Sequence, residues 1–194
     1  SQKIIPAQMQ FVDIAGLVSG ASKGEGLGNK FLSHIREVDA IIHVLRCFED
    51  DDITHVENNI NPLRDAEIIE TELMLADIES LDRQIQNLTK KAKTNDQDAK
   101  SDLLLMNELY ALLSEGTPIR LGDFTDDKVK QYKNFNLLSS KPILYVCNVN
   151  ENDAASGNTF TKSIYEKAKN ENCEAVIISG SIEAEIALLD YNEK

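Results

Sequence analysis

The stretch KPILYVCNVNE, residues 141–151, joins an apolar run of strand length to a polar loop. Residues 142–147 are almost continuously apolar, which predicts a strand covered on both faces, as in a parallel sheet. Ligands of such sheets bind outside the carboxyl ends of the strands. The polar residues that follow this strand are therefore candidates for a binding loop.

Three further apolar runs have the length of a strand, and helical patterns separate the runs from one another. The other runs are 9–14 (MQFVDI), 40–45 (AIIHVL) and 175–178 (AVII), and the helical patterns cover 29–37, 63–114, 126–133 and 159–170. Alternation of strands and helices predicts an α/β fold with right-handed crossover connections.

The region 63–114 differs from the other helical stretches because it carries two apolar seams, separated by turn-favouring residues at 93–96. The first seam is Thr71, Met74, Ile78, Leu81, Ile85, Leu88 and Ala92, and the second is Ala99, Leu103, Met106, Tyr110 and Leu113. This pattern predicts an antiparallel coiled-coil hairpin inserted between two strands. An ordinary pair of covering helices is the alternative.

We therefore expect two structural units: residues 63–116 as the helical insertion, and residues 1–62 together with 117–194 as the domain that holds the sheet. The net charge of −13 argues against a broad nucleic-acid-binding face and against direct DNA binding. No apolar run reaches membrane-spanning length, and no signal peptide opens the chain. Cys47, Cys147 and Cys173 have no metal-ligand spacing and are predicted to be structural thiols of a cytoplasmic protein.

Two motifs follow the first apolar run. Asp13 and Gly16 form a DxxG at its end, where an Asp holds Mg²⁺ through water and a Gly lets its backbone N–H approach a γ-phosphate. A loop with four glycines in nine residues comes next, and it includes Gly24 and Gly26. Such a loop can rearrange around a phosphate, as switch loops do. A plain strand-to-loop turn and an inert linker are the alternatives.

Two loops after later strands are candidates for base recognition. Asn148, Val149 and Glu151 stand where guanine-specific nucleotidases carry NKxD, whose Asp accepts from guanine N1–H and the 2-amino group. Glu in place of Asp, and Val in place of Lys, predict a relaxed or changed base preference. Ser179 and Gly180 follow the last apolar run and are expected to offer backbone N–H groups to the base.

Five segments in this order resemble the Obg-like ATPase (YchF) subfamily of P-loop nucleotidases. They are DIAGL (13–17), GASKGEGLGNKFL (20–32), REVDAIIHVLRCFEDDDITHV (36–56), NPLRDAEIIETEL (61–73) and NVNE (148–151). The resemblance implies a Ras-like sheet, a Mg²⁺ cofactor near Asp13, hydrolysis of ATP with GTP also accepted, and a link to ribosomes and translation or stress control. It also implies that the hairpin is the coiled-coil insertion of this family.

Leu17 follows the DxxG, where many GTPases place a glutamine that orients the attacking water. His55, in a polar loop, is our candidate for that catalytic role, with an exposed loop histidine as the alternative. His43 lies within an apolar run and is predicted to be a core residue, and His34 is predicted to be structural.

No GxxxxGKS phosphate loop occurs in the sequence, so the sheet is expected to be incomplete and the 194-residue chain to hydrolyse little ATP by itself. A small β-rich domain of the family is likewise not represented. Two functions remain open: a nucleotide-hydrolysing switch, and an interaction module in which the hairpin binds a partner and the nucleotidase fold is a scaffold.

Overall fold

The computed structural model describes residues 8–13, 27–49, 60–91 and 96–189. Three parallel strands form a sheet in the order β1-β2-β3. The strands are β1 (Ile41–Arg46), β2 (Ile143–Asn148) and β3 (Glu174–Ile178). The helices are α1 (Leu27–Glu37), α2 (Pro62–Lys91), α3 (Gln97–Ser114), α4 (Asp126–Tyr132), α5 (Thr159–Asn170) and α6 (Gly180–Leu188). The prediction of an α/β fold with helices flanking a parallel sheet is confirmed.

One face of the sheet is buried against α2 and α5. Leu45, Tyr145 and Cys147 point to this face and pack with Ala66 of α2 and Ile164 of α5. On the opposite face of the edge strand β1, Val44 is 59% exposed. Alternation of buried and exposed side chains along β1 follows from the period of two in a strand. The burial of β1 is therefore one-sided within the described part of the chain.

The prediction of a strand at 9–14 is wrong for its described part. Residues 8–13 have no strand assignment, and Phe11 is 72% exposed. A strand is stable only when a neighbouring strand satisfies its backbone N–H and C=O groups. Among the described residues, β1 pairs only with β2, so it gives 8–13 no such partner. The apolar composition of the segment was not sufficient to define a strand.

Helices α2 and α3 pack against each other, which is consistent with the predicted helical hairpin, whose coiled-coil character stays a prediction. Leu81 of α2 and Leu109 of α3 are fully buried in one apolar cluster with Ile119 and Phe135. The predicted seam on α3 is partly wrong, because Tyr110 is exposed while Leu105 and Leu109 are buried. The reason is that α4 and the 3-10 helices Ile119–Leu121 and Lys133–Phe135 also cover the hairpin. A third packing partner requires a broader apolar face than the two-helix seam.

The first turns of α2 belong to the sheet core, since Ala66 packs under β1 and β2. Further along α2, the buried Asp77 accepts hydrogen bonds from Leu138 N (2.8 Å), Ser139 N (2.7 Å) and Ser139 Oγ (2.8 Å). These bonds attach α2 to the segment that leads into β2. The division of the chain at residues 62/63 and 116/117 stays a prediction.

Helix α1 is anchored to the same region. Leu32 and Ile35 pack with Leu138, and Arg36 Nη1 donates to the Asn136 carbonyl at 2.7 Å. Lys141 Nζ donates to the carbonyls of Arg36 and Val38 at the carboxyl end of the helix. A cation there satisfies carbonyl groups that have no partner within a helix.

Candidate functional site

The loops that follow β2 and β3 meet at the carboxyl edge of the sheet. Asn148 Oδ1 accepts a hydrogen bond from Gly180 N at 2.9 Å, and Val149 N donates to the Ile178 carbonyl at 2.9 Å. The Asn148 carbonyl in turn accepts from Cys47 N at 2.8 Å. Three segments distant in sequence are thus joined at the place where parallel sheets bind ligands.

Gly180 allows the close approach of the two loops. A Cβ atom at this position would lie 3.3 Å from Asn148 Oδ1, which is tighter than ordinary van der Waals contact. Next to it, Ser179 is buried and its Oγ lies 3.0 Å from Ser181 Oγ. The predicted pair Ser179 and Gly180 therefore lies directly against Asn148.

The other two predicted base-binding residues differ in their surroundings. Val149 is buried in the sheet core, so its side chain packs inside while its backbone belongs to the loop. Glu151 is exposed and begins the 3-10 helix Glu151–Asp153. The structure thus brings Asn148, Val149, Ser179 and Gly180 together and places the Glu151 carboxylate on the surface close by in sequence.

Asn158 and Asp153 also lie at this edge of the sheet, although neither was predicted from the sequence to be a site residue. Asn158 Nδ2 donates to the Cys47 carbonyl and to Asp153 Oδ2, both at 2.8 Å. Its Oδ1 caps α5, and Thr161 completes a capping box with it. The sequence signal for a helix start was present in Asn158 and Thr161. The contacts to the two strand-end segments follow only from the fold.

The predicted phosphate and catalytic residues are mostly beyond the described parts. Gly16, Leu17, Gly24, Gly26 and His55 lie outside the described residues, and their roles stay predictions. Asp13 is described and exposed.

No group of three or more His, Cys, Asp or Glu side chains that could hold a metal occurs within 8–13, 27–49, 60–91 and 96–189. Mg²⁺ commonly keeps several waters and takes one or two carboxylates plus phosphate oxygens. An exposed Asp13 fits that mode of binding, in which nucleotide and water supply most of the ligands.

His43 lies on the covered face of the sheet, with its ring 5.9 Å from the ring of Tyr145. Burial lowers the pKa of His43 to about 4, although the Glu70 carboxylate acts in the opposite direction. The imidazole is therefore neutral near pH 7, which suits the predicted core position. His34 is exposed on α1.

A largely buried charged cluster lies behind the sheet, and it was not predicted from the sequence. Arg120 bonds to Glu70 and, at 2.8 Å, to Glu171, while Lys167 contacts both carboxylates. Tyr145 Oη donates to Glu171 Oε2 at 3.0 Å. The cluster connects α2, the segment after α3, and the carboxyl end of α5. Cys47 and Cys147 are both buried free thiols and lie nearer the loop edge.

A helix both long enough and apolar enough to cross a membrane is not found in the part of the chain that the structure describes.

Fold and site together define a parallel α/β protein with polar loops at the carboxyl ends of its strands. Comparison with known proteins gives a more specific result. The model of a protein family described as 50S ribosome-binding GTPase matches residues 2–108, which is more than half of the chain. The chain therefore belongs to the 50S ribosome-binding GTPase family.

Individual relatives carry the YchF name. The "Ribosome-binding ATPase YchF" of Pasteurella multocida (strain Pm70) is 49% identical over 193 residues, which cover 100% of this chain and 53% of the relative. The protein of the same name from Bacillus subtilis (strain 168) is 48% identical over 195 residues, with the same two coverages. The chain thus spans about half the length of the curated relatives it matches.

A solved structure agrees with these relatives. The structure of the Schizosaccharomyces pombe YchF GTPase superposes with a TM-score of 0.77 at 33% identity, covering 93% of this chain and 50% of that one. The resemblance to the Obg-like ATPase (YchF) subfamily, predicted from five sequence segments, is confirmed.

Proposed function

We propose that this chain is part of a nucleotide-dependent switch protein that binds ATP, and GTP less tightly, and hydrolyses the bound nucleotide. The observation that carries the proposal is the hydrogen bond from Gly180 N to Asn148 Oδ1, which joins the two predicted base-binding loops. This bond occupies the Gly180 N–H and fixes the side-chain amide of Asn148 at the strand ends, where an amide is suited to hydrogen-bond the edge of a planar base.

The identity of the base follows from Glu151. A carboxylate accepts hydrogen bonds only, and the shorter Asp of an NKxD loop reaches the guanine N1–H and 2-amino pair. Glu151 is one methylene longer and exposed, so it no longer matches that pair. Adenine offers a 6-amino group instead, which fits the preference for ATP that the YchF resemblance implies.

The phosphates require a cation, because the chain carries 33 acidic and 20 basic residues. Mg²⁺ bound through water at Asp13, with Gly16 near the γ-phosphate, supplies that charge in this proposal. Leu17 and the glycines Gly24 and Gly26 form the responsive loop, and His55 orients the attacking water.

The ribosome is the proposed partner, and the cytoplasm the proposed location. Both rest on the relatives, whose name says that they bind ribosomes. The alternative, in which the hairpin alone is the working part, is favoured by one observation. Leu104, 74% exposed, and Tyr110 present apolar surface on α3.

The nucleotide proposal is tested on the complete polypeptide that the gene encodes, by titration with fluorescent ATP and GTP analogues in magnesium. We expect ATP to bind more tightly than GTP. Asn148→Ala should weaken the binding of both nucleotides, and Glu151→Asp should raise the affinity for GTP relative to that for ATP. Asn107→Ala, an exposed asparagine on α3, is the control and should bind like the wild type. Absence of nucleotide binding would refute the proposal, and a strong preference for GTP would refute its base assignment.

The hairpin alternative has a separate test. The double variant Leu104→Ser/Tyr110→Ser changes two exposed side chains of α3, and thermal unfolding checks that the fold is retained. If the hairpin is the working part, this variant loses co-sedimentation with ribosomes while binding nucleotide normally. If ribosome binding instead follows the nucleotide state and ignores these two substitutions, the switch function is supported.

A further inference from the structure

The side chain of Asn158 makes four hydrogen bonds. Its Oδ1 accepts from Phe160 N (3.0 Å) and Thr161 N (3.1 Å) at the start of α5. Its Nδ2 donates to the Cys47 carbonyl and to Asp153 Oδ2, both at 2.8 Å. A primary amide has two N–H donors and an oxygen with two acceptor positions, so this side chain is fully used.

One Nδ2 bond goes to the segment that follows β1, and the other goes to the loop that follows β2. Cys47, whose carbonyl receives one of them, donates its own N–H to the Asn148 carbonyl at 2.8 Å. Asp153, which receives the other, ends the 3-10 helix that begins at Glu151. Asn158 therefore links the segment that bonds to Asn148 with the 3-10 helix that begins at Glu151.

Helix capping alone does not require an amide at this position. Capping uses only the side-chain oxygen, and Asp or Ser supplies it as well as Asn. The same chain caps α3 with Asp96, whose carboxylate accepts from Asp98 N and Ala99 N. The donor half of Asn158 thus has a function beyond the cap.

The segment between Asp153 and Asn158 is closed tightly. Gly157 N donates to the Asp153 carbonyl at 2.7 Å, and Gly157 has a φ of +68°. A Cβ atom at Gly157 would lie 2.4 Å from Thr161 Oγ1. Because this turn is short and crowded, it holds Asn158 at a fixed distance from the loop that ends at Asp153.

We propose that Asn158 is a positioning residue for base recognition, which acts through the Cys47 carbonyl and the Asp153 carboxylate to hold Asn148 and Glu151 at the spacing that distinguishes adenine from guanine. This inference rests on the proposed function, namely that the loop binds the base. Asn158 acts on the loop and not on the nucleotide.

The test is Asn158→Asp in the complete polypeptide. The substitution keeps the cap, removes both donors and places a second carboxylate beside Asp153. Dissociation constants are measured for ATP, GTP and inorganic tripolyphosphate, all with magnesium. We expect ATP binding to weaken about tenfold, because the hydrogen bonds that hold the loop are lost. The ratio of the affinity for ATP to the affinity for GTP should fall towards one. Binding of tripolyphosphate, which has no base, should not change.

A rescue variant and a control separate this role from stability. The double variant Asn158→Asp/Asp153→Asn reverses donor and acceptor across the same pair, and it should recover part of the ATP-to-GTP ratio. Asp96→Asn replaces a carboxylate by an amide at the cap of α3, and it should leave the dissociation constants of all three ligands unchanged. Thermal unfolding of each variant shows that the fold is retained.

The outcomes distinguish the inference from the function on which it rests. If the wild type binds ATP no better than tripolyphosphate, the proposed base site is wrong. If the wild type discriminates between bases but Asn158→Asp weakens all three ligands equally, or none of them, the positioning role is wrong while the base site stands.

Discussion

At the scale of single residues, Glu70, Arg120, Lys167 and Glu171 form a largely buried cluster of charges. Two carboxylates and two cations are largely removed from water here, and each carboxylate contacts both cations. Desolvation of such groups costs several kcal/mol per ion unless partners compensate it. Removing one carboxylate leaves the two cations with incomplete compensation.

We expect Glu171→Gln to lower the free energy of unfolding by about 2 kcal/mol at pH 7, because breaking a buried ion pair leaves its partners uncompensated while Glu70 still neutralises part of the charge. The matched control is Glu108→Gln, which removes an exposed pair with Lys128. That change should cost less than about 1 kcal/mol. Urea unfolding of the complete polypeptide measures both, and equal effects would contradict the prediction.

The same residue predicts a pH dependence. Burial by itself raises the pKa of Glu171, but hydrogen bonds from Lys167 and Arg120 outweigh it, so the pKa lies below its ordinary value. A lowered folded-state pKa gives stability that is present above the unfolded pKa, about 4.3, and is lost as the pH falls through the folded value. The difference between wild type and Glu171→Gln should shrink below about pH 4. An unchanged difference at pH 3 would rule out this linkage.

At the scale of secondary-structure elements, the turn before α5 depends on Gly157. Its φ is +68°, and a Cβ would lie 2.4 Å from Thr161 Oγ1 and 2.8 Å from Ile177 Cδ1. Gly116, with a φ of +79°, has nothing within 4 Å of that position. We expect Gly157→Ala to cost about 3 kcal/mol and Gly116→Ala about 1 kcal/mol, because only the first adds steric clashes to backbone strain. Thermal unfolding measures the two, and the reverse order would contradict this account of the turn.

The hairpin offers a second comparison within one helix. Leu109 is fully buried on α3, whereas Leu104 is 74% exposed on the same helix. Leu109→Ala should cost about 3 kcal/mol through lost burial and a residual cavity. Leu104→Ala should cost less than about 0.5 kcal/mol, so chemical denaturation should separate the two variants clearly. Similar losses would mean that α3 packs through a different face.

For the whole molecule, the excess of acidic residues makes the proposed nucleotide binding dependent on a cation. Excess EDTA should weaken ATP binding by about tenfold or more, because magnesium neutralises the phosphates. Asp13→Asn should weaken binding in magnesium and respond less to EDTA. Asp82→Asn, an exposed carboxylate on α2, is the control for lost charge. ATP binding that is insensitive to EDTA would remove the metal from the proposal.

The sequence determined the elements with strong local signals. Helix α5 begins and ends where the helical pattern at 159–170 predicted, at Thr159–Asn170. The runs at 40–45, 142–147 and 175–178 became β1, β2 and β3 with shifts of one residue. The ordered motifs also identified the family. These features are available to sequence analysis because neighbours within a few positions decide periodicity, capping and motif spacing.

Only the tertiary structure decided which apolar residues are covered and which polar groups meet. Residues 9–13 contain three apolar side chains but have no strand assignment, because a strand needs a neighbour that its own sequence cannot specify. On α3, Leu109 is buried and the predicted seam residue Tyr110 is exposed, because α4 and the neighbouring 3-10 helices also pack on the hairpin. Asn158 and Cys47 are 111 positions apart, yet they share a hydrogen bond. Contacts at such a separation arise only when the parallel sheet aligns its strand ends, so no local pattern could predict them.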